Sequence, residues 1–270
     1  MDPATIIGML AAFGALFAML TLEGSSVSAI LLPAPMVLVF GATIAVGIAS
    51  GTIADMLLAF KALPRAFKGK VPKPADTIDQ VVGFAEKARR EGLLSLESEA
   101  ASVDDPFLKN ALQNIADGTD GEELRILLED EIQTRTASDR IAGKFFTTLG
   151  GFAPTVGIIG TVVSLTHVLE NLSTPDKLGP LIAAAFVATL WGLLSANFLW
   201  LPIGSRLRRL SDLENERMTL LMEGVLAVQA GSQPRLLGER LRAMVPANAL
   251  GKADKEKDKK ADKASMDKAA

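Results

Sequence analysis

The chain alternates between long stretches without a charged side chain and blocks dense in charge. Four charge-free runs stand out, at residues 3–22, 24–54, 145–169 (with His167 counted as neutral) and 178–205. A bilayer core takes about 20 apolar residues at a helical rise of about 1.5 Å each, so every run is long enough to span one. Backbone in hydrocarbon must satisfy its own hydrogen bonds, which predicts helices at about 4–22, 29–50, 150–170 and 180–202. They pair into two hairpins with short links at 23–28 and 170–179.

The polar blocks also read as helices. From Asp79 to Glu91 apolar positions recur at helical spacing and stop at Gly92. Asp105-Pro106 opens a helix that ends before Gly118. Leu124, Leu127, Leu128 and Ile132 continue towards Phe145 without a proline, which allows one helix to run on into the third span. Segment 55–68 is amphipathic and basic, suited to the headgroup layer of membrane lipids. Residues 206–229 and 234–245 are two more helical stretches. The fold expected is all-α, a polytopic membrane protein with four transmembrane helices in two hairpins and a helical cytoplasmic domain. Its divisions are 1–54 (first two spans), 55–144 (polar helical domain), 145–205 (last two spans) and 206–246 (C-terminal helices). The remaining 247–270 is Lys, Asp and Ala with almost nothing to bury, and is expected to be disordered.

Charge then orients the chain. Residues 1–50 hold no Lys or Arg and residues 151–200 hold only Lys177, so 27 of the 28 basic residues lie in the two polar blocks. The excess of Lys and Arg puts both blocks, and with an even helix count both termini, on the cytoplasmic side. The first run is not read as a secretory signal, since no positive residue precedes it and no small-residue cleavage site follows. The absence of cysteine excludes disulfides, CxxC redox chemistry and thiolate metal sites. There is no P-loop, no GxGxxG after a strand, no HExxH and no nucleophile elbow. The chain is therefore not expected to be an enzyme, and no cofactor, resident metal or nucleic-acid partner is predicted.

Apart from Glu170 at the very end of the third, no Asp, Glu, Lys or Arg lies within the four predicted spans. Ion-coupled transport ordinarily needs an ionisable group that takes up and releases the ion. Either this chain moves no ions, or a partner brings the carboxylate. The third and fourth spans do carry small and hydroxylated residues on one face: Pro154, Gly157, Thr161 and Ser164 with Gly160 beside them, and Ala184, Ala185, Ala188, Thr189, Gly192 and Ala196. Gly157, Gly160 and Gly192 read as helix-packing residues. Thr161 and Thr189 have two readings, as packing or as uncharged oxygen ligands along a cation path. His167, the only histidine, suits a proton relay or a structural role without a carboxylate partner. Trp200 fits an interfacial belt.

The run Ala153-Pro154-Thr155-Val156-Gly157-Ile158-Ile159-Gly160-Thr161-Val162, followed by Phe186-Val187-Ala188-Thr189-Leu190-Trp191-Gly192, resembles the MotA/PomA subunit of the bacterial flagellar stator. Met1-Asp2-Pro3-Ala4-Thr5-Ile6-Ile7-Gly8, Arg89-Arg90-Glu91-Gly92-Leu93-Leu94-Ser95-Leu96-Glu97 and Glu223-Gly224-Val225 fit the same family, in order, over about residues 1–245. The resemblance implies a homo-oligomer, a pentamer, in the bacterial inner membrane. The ring would surround a MotB/PomB-type partner with one membrane helix whose Asp binds the ion, and would push on the rotor protein FliG. It implies conformational coupling at Pro154 and Pro202, and rotor contact at Arg89, Glu97 and Glu131. Sodium-type members resemble this chain at both Thr161 and Thr189, which implies Na⁺ as the transported ion with H⁺ as the alternative. Where sodium-type relatives carry an Asp, this chain reads Ser28-Ala29-Ile30-Leu31-Leu32, with Glu23 nearby. An ExbB/TolQ-like energy-transducing ring has three spans and another order of soluble parts. A self-sufficient small-solute carrier would be expected to show broken helices or an internal charge.

Overall fold

The computed structural model describes residues 4–250. Of the tail expected to be disordered, 251–270 lies outside the described residues. Among the described residues every regular element is helical, and the chain forms two compact units.

The first unit comprises residues 4–70 and Ala137–Ser211. It contains α1 (Ala4–Leu22), α2 (Pro33–Ala49) and α3 (Ile53–Lys68), then part of α7 (Gly121–Glu170), α8 (Pro175–Leu194) and the start of α9 (Leu201–Gln229). Three helical stretches are long and apolar enough to cross a membrane: α1, a part of α7, and a part of the continuous helix Pro175–Gln229. α2 is apolar but has 17 residues, the lower end of the spanning range. It starts later than the expected position 29, because Pro33 fixes its first turn and holds Leu32 in extended backbone at φ −95°, ψ 118°. The residues before it make a short 3₁₀ turn, Val27–Ile30.

The fourth apolar run is not interrupted before Arg206. Helix runs through Pro202 by widening to a π-helical segment over Ser195–Trp200, in which the Leu201 N–H reaches back five residues to the Ala196 carbonyl. A proline with no N–H to donate explains why the ladder is irregular there. Just beyond, α7 and α9 pack almost backbone to backbone. A Cβ on Gly204 would lie 2.9 Å from the Gly143 carbonyl oxygen.

α3 belongs with the apolar helices and not with the polar block, contrary to the expected division at residue 55. A capping box between Thr52 and Asp55 starts it. Its buried Ala59 and Ala66 pack with Phe145, Phe146 and Leu207. The Arg65 guanidinium donates to both oxygens of Asp139 at 2.7 and 2.6 Å, tying α3 to α7.

The second unit holds Val71–Thr136 and residues 212–250. It contains α4 (Pro74–Glu91), α5 (Leu96–Ser102), α6 (Pro106–Ala116), the N-terminal part of α7, the C-terminal part of α9, and α10 (Pro234–Ala243). Ile78, Val81, Phe107, Leu112, Leu124, Leu128, Leu221 and Leu241 form its dry centre. Gly92 ends α4 at φ +83° and Gly231 follows α9 at φ +73°, the left-handed conformation that a helix stop needs and that favours glycine. Leu250 is buried in the same core, so the expected disordered segment does not begin at 247. The Arg217 guanidinium contacts Asp105 at 2.6 Å and Glu214 at 2.8 Å, with both arginine and glutamate about 10% exposed. Burial alone would lower the Arg217 pKa. The hydrogen bonds and charges of Glu214 and Asp105 outweigh it, and the pKa is held above its ordinary value.

Candidate functional site

Within the first unit, α7 and α8 approach closely because their facing positions are glycine and alanine. A Cβ on Gly157 would lie 2.9 Å from the Ala188 carbonyl oxygen, and one on Gly192 would lie 2.7 Å from that of Ala153. At Gly160 it would meet Ala188 Cβ at 2.8 Å and Leu38 of α2 at 3.0 Å. Any side chain at these positions would force the helices apart, which is the small-residue logic of helix contacts in lipid.

This approach brings the two threonines together. Thr161 and Thr189 share a hydroxyl–hydroxyl hydrogen bond. Thr161 Oγ1 also lies 3.1 Å from the Gly157 carbonyl and 3.0 Å from the Ala185 carbonyl. Two hydroxyl and two carbonyl oxygens therefore meet at one level of the α7–α8 contact, and neither hydroxyl is fully buried. One helical turn before Gly157 comes Pro154, whose missing N–H frees the carbonyl of Gly150 from its usual ladder bond. Gly150 is buried, and a Cβ there would strike Leu201 at 2.6 Å, next to Pro202.

Around the threonines the surface of these helices is apolar and exposed: Ile158, Ile159, Val162, Val163 and Phe186 all present more than half of their area. No cluster of His, Asp and Glu that could hold a metal ion occurs among the described residues. His167 stands at the far end of α7, where its Nδ1 lies 3.1 Å from the Glu170 carboxylate. It was expected to lack a carboxylate partner. One turn of helix supplies it from just beyond the charge-free run. Both side chains are about two-thirds exposed, so this is a surface pair.

The indole of Trp191 donates through Nε1 to the Ile30 carbonyl at 2.6 Å in a buried bond, joining α8 to the turn before α2. Sequence patterning did not single it out, though an indole in the middle of an apolar run has to find an acceptor. Trp200 stacks on Phe146 at 6.4 Å between centroids. Thr43 of α2 was also missed. It is fully buried and its hydroxyl finds no partner among the described residues.

In the second unit, Arg89 and Glu97 are exposed on either side of the Gly92 turn. Lys87 bridges the same turn, bonding Glu99 at 2.6 Å and Ser98 at 2.9 Å. Leu94, at its tip, is 73% exposed. Glu131 lies on α7, where it accepts a hydrogen bond from Asn110 at 3.3 Å.

Comparison with known proteins follows the same pattern. Residues 6–92 match the model described as motility protein A N-terminal, and 99–219 match the MotA/TolQ/ExbB proton channel family. The chain is 34% identical to motility protein A of Bacillus subtilis over 92% of both chains. It is 31% identical to the chemotaxis protein PomA of Vibrio alginolyticus, over 90% of this chain and 94% of that one. Among solved structures, the flagellar MotAB stator complex from Bacillus subtilis superposes with a TM-score of 0.84 at 34% identity, covering 92% of this chain and 97% of the other. The structure of C. jejuni MotAB does so with a TM-score of 0.87 at 27% identity, covering 93% and 100%. The N-terminal model and the full-length relatives separate the chain from the ExbB/TolQ branch. An all-α membrane protein with a charge-free, glycine-packed helix pair, the chain belongs to the motility protein A family and is a subunit of the flagellar motor stator, not an enzyme.

Proposed function

We propose that this subunit forms a ring of five copies around a MotB/PomB-type partner, guides Na⁺ past Thr161 and Thr189 to an Asp on that partner's single membrane helix, and turns the passage into torque on FliG. The observation that carries this reading is the hydroxyl pair of Thr161 and Thr189, with Thr161 Oγ1 also against two backbone carbonyls, on a helix face that bears no charge. A hard cation takes oxygen ligands, and hydroxyls and carbonyls supply them without neutralising an acid. The partner's carboxylate provides the negative charge. One elementary charge crossing about 100 mV yields about 2.3 kcal/mol, so work accumulates over many small steps. A five-fold ring makes those steps equivalent. Pro154 and Pro202, where the helix ladder is already interrupted, are the positions at which α7 and α9 flex during each step. Exposed Arg89 and Glu97, with Glu131, meet the rotor through weak charge contacts that form and break repeatedly. Both termini face the cytoplasm.

A second reading keeps everything except the ion. The matched family is described as a proton channel family, and a proton needs no oxygen shell. The test is swimming speed of a strain that depends on this stator, with Na⁺ varied at constant pH and ionic strength. Speed that rises and saturates with Na⁺ supports the sodium reading. Speed independent of Na⁺ and responsive to pH overturns it in favour of H⁺.

A further inference from the structure

At the ends of two charge-free runs the first unit contains a cavity of about 180 Å³, bounded by the last turn of α2, the following loop, the first turn of α3 and the part of α7 just before Phe145. Its lining includes Ser50, Asp55, Ile141, Lys144, Phe145 and Thr148. Asp55 is the first charged residue after the run 24–54, and Lys144 the last before the run 145–169. The cavity therefore sits at the depth where apolar sequence gives way to charge, which in a bilayer is the headgroup layer.

Its two charges are of opposite sign, share one space and do not pair with each other. Lys144 makes no ion pair among the described residues. Asp55 Oδ2 accepts the Thr52 N–H at 3.0 Å, which leaves the rest of the carboxylate open. Ser50 Oγ donates to the Gly47 carbonyl at 2.9 Å and keeps its lone pairs. An acid with an acceptor hydroxyl beside it, and a base with a donor hydroxyl (Thr148) beside it, form a complementary mould for a zwitterion. The apolar part of the lining is Ile141 and Phe145 on α7, and Ile141 is 42% exposed. A group bound in the cavity would have acyl chains against these side chains.

We propose that this cavity binds the headgroup of a phospholipid carrying a primary amine, phosphatidylethanolamine, with its phosphate on Lys144 and Thr148 and its ammonium on Asp55 and Ser50. The three common headgroups separate on this basis. Phosphatidylglycerol brings the phosphate but no cation for Asp55. Phosphatidylcholine brings a cation with no N–H to donate and a larger girth. Only the ethanolamine headgroup satisfies both ends. If Lys144 merely snorkelled to any phosphate and Asp55 merely capped α3, retention would follow lipid negative charge instead.

The full chain, purified in mild detergent with the proteins it assembles with, is titrated with the three lipids at identical acyl composition, and bound lipid is counted by native mass spectrometry. A charge-assisted hydrogen bond made by one lipid and not another predicts about fivefold preference for phosphatidylethanolamine over each of the other two. Asp55→Asn keeps a capping side chain and is expected to erase the preference over phosphatidylglycerol. Lys144→Ala is expected to reduce retention of the ethanolamine lipid about fivefold. Soluble phosphoethanolamine should displace the lipid, and inorganic phosphate at the same concentration should not. Equal or tighter retention of phosphatidylglycerol by the unmodified chain, a reading that needs no variant to fold, overturns the proposal. So does unchanged retention in Lys144→Ala, or displacement by inorganic phosphate as effective as by phosphoethanolamine.

Discussion

Gly157 of α7 and Gly192 of α8 are pressed together: a Cβ on Gly157 would lie 3.1 Å from the Cα of Gly192, and a Cβ on Gly192 would lie 3.0 Å from the Cα of Gly157. The neighbours are backbone, which cannot rotate away. Gly157→Ala or Gly192→Ala must therefore separate the helices and pull Thr161 from Thr189. The expected cost is about 1–3 kcal/mol of stability, as for overpacking elsewhere. Gly151→Ala is the control, since a Cβ there meets nothing within 4 Å. Thermal melting in detergent and swimming assays should show a loss for the first two variants and none for Gly151→Ala.

The threonine pair separates packing from ion handling. Thr161→Ser and Thr189→Ser retain the hydroxyl and should preserve Na⁺-dependent swimming. Thr161→Val and Thr189→Val keep shape and remove the oxygen. Each should raise the Na⁺ concentration for half-maximal speed by about tenfold, the equivalent of one lost ligand interaction of about 1.4 kcal/mol. Equal curves for the Ser and Val variants would leave the pair as packing alone.

On the second unit, charge should matter more at Arg89 and Glu97 than side-chain shape. Both are exposed, so Arg89→Glu or Glu97→Lys should leave the melting temperature unchanged. Each should lower swimming, with Arg89→Lys near normal. A charge-reversed acidic residue on FliG that restores swimming to Arg89→Glu would identify the contacting partner. Lower stability in place of lower motility would count against a surface role.

Arg217 predicts the opposite outcome, a change in stability. Removing it with Arg217→Leu leaves the mostly buried Asp105 without a cation and Glu214 with only Arg135, 3.6 Å away, a loss of about 3 kcal/mol. The full chain in detergent should melt about 5–10 °C lower. The pKa of Arg217 is raised in the folded state. A raised cationic pKa stabilises at every pH below the unfolded value and is lost only as pH rises through the folded one. The gap between the two proteins should therefore stay constant from neutral to moderately alkaline pH, and close only in strong alkali.

Much of this architecture was legible in the charge pattern. Runs without Lys, Arg, Asp or Glu mark the apolar helices, because lipid penalises charge so heavily. Gly92, Gly118 and Gly231 mark helix ends, each in the left-handed conformation. Helical spacing put Gly157 and Thr161 on one face of the third span and Thr189 and Gly192 on one face of the fourth, and the structure joins the two faces. Other features depended on contacts between distant segments. α3 joins the apolar helices through Ala59 and Ala66, small residues that local amphipathicity does not weigh. The Trp191 bond reaches a carbonyl 161 residues away. The π-helical segment reflects Pro202 being absorbed by a helix that packing keeps continuous, where a breaker would be expected from the sequence. Leu250 is a single apolar residue at the edge of a polar tail, and only the core it meets gives it a place.

In the proposed mechanism the subunit shapes a path and lacks the acid that loads it. The direct measurement is cation flux into tight vesicles containing this chain alone, under a Na⁺ gradient and then a pH gradient, with an added ionophore to verify that the gradients hold. Flux no greater than in protein-free vesicles is the predicted result. Steady Na⁺ or H⁺ entry carried by the chain without any partner would contradict it.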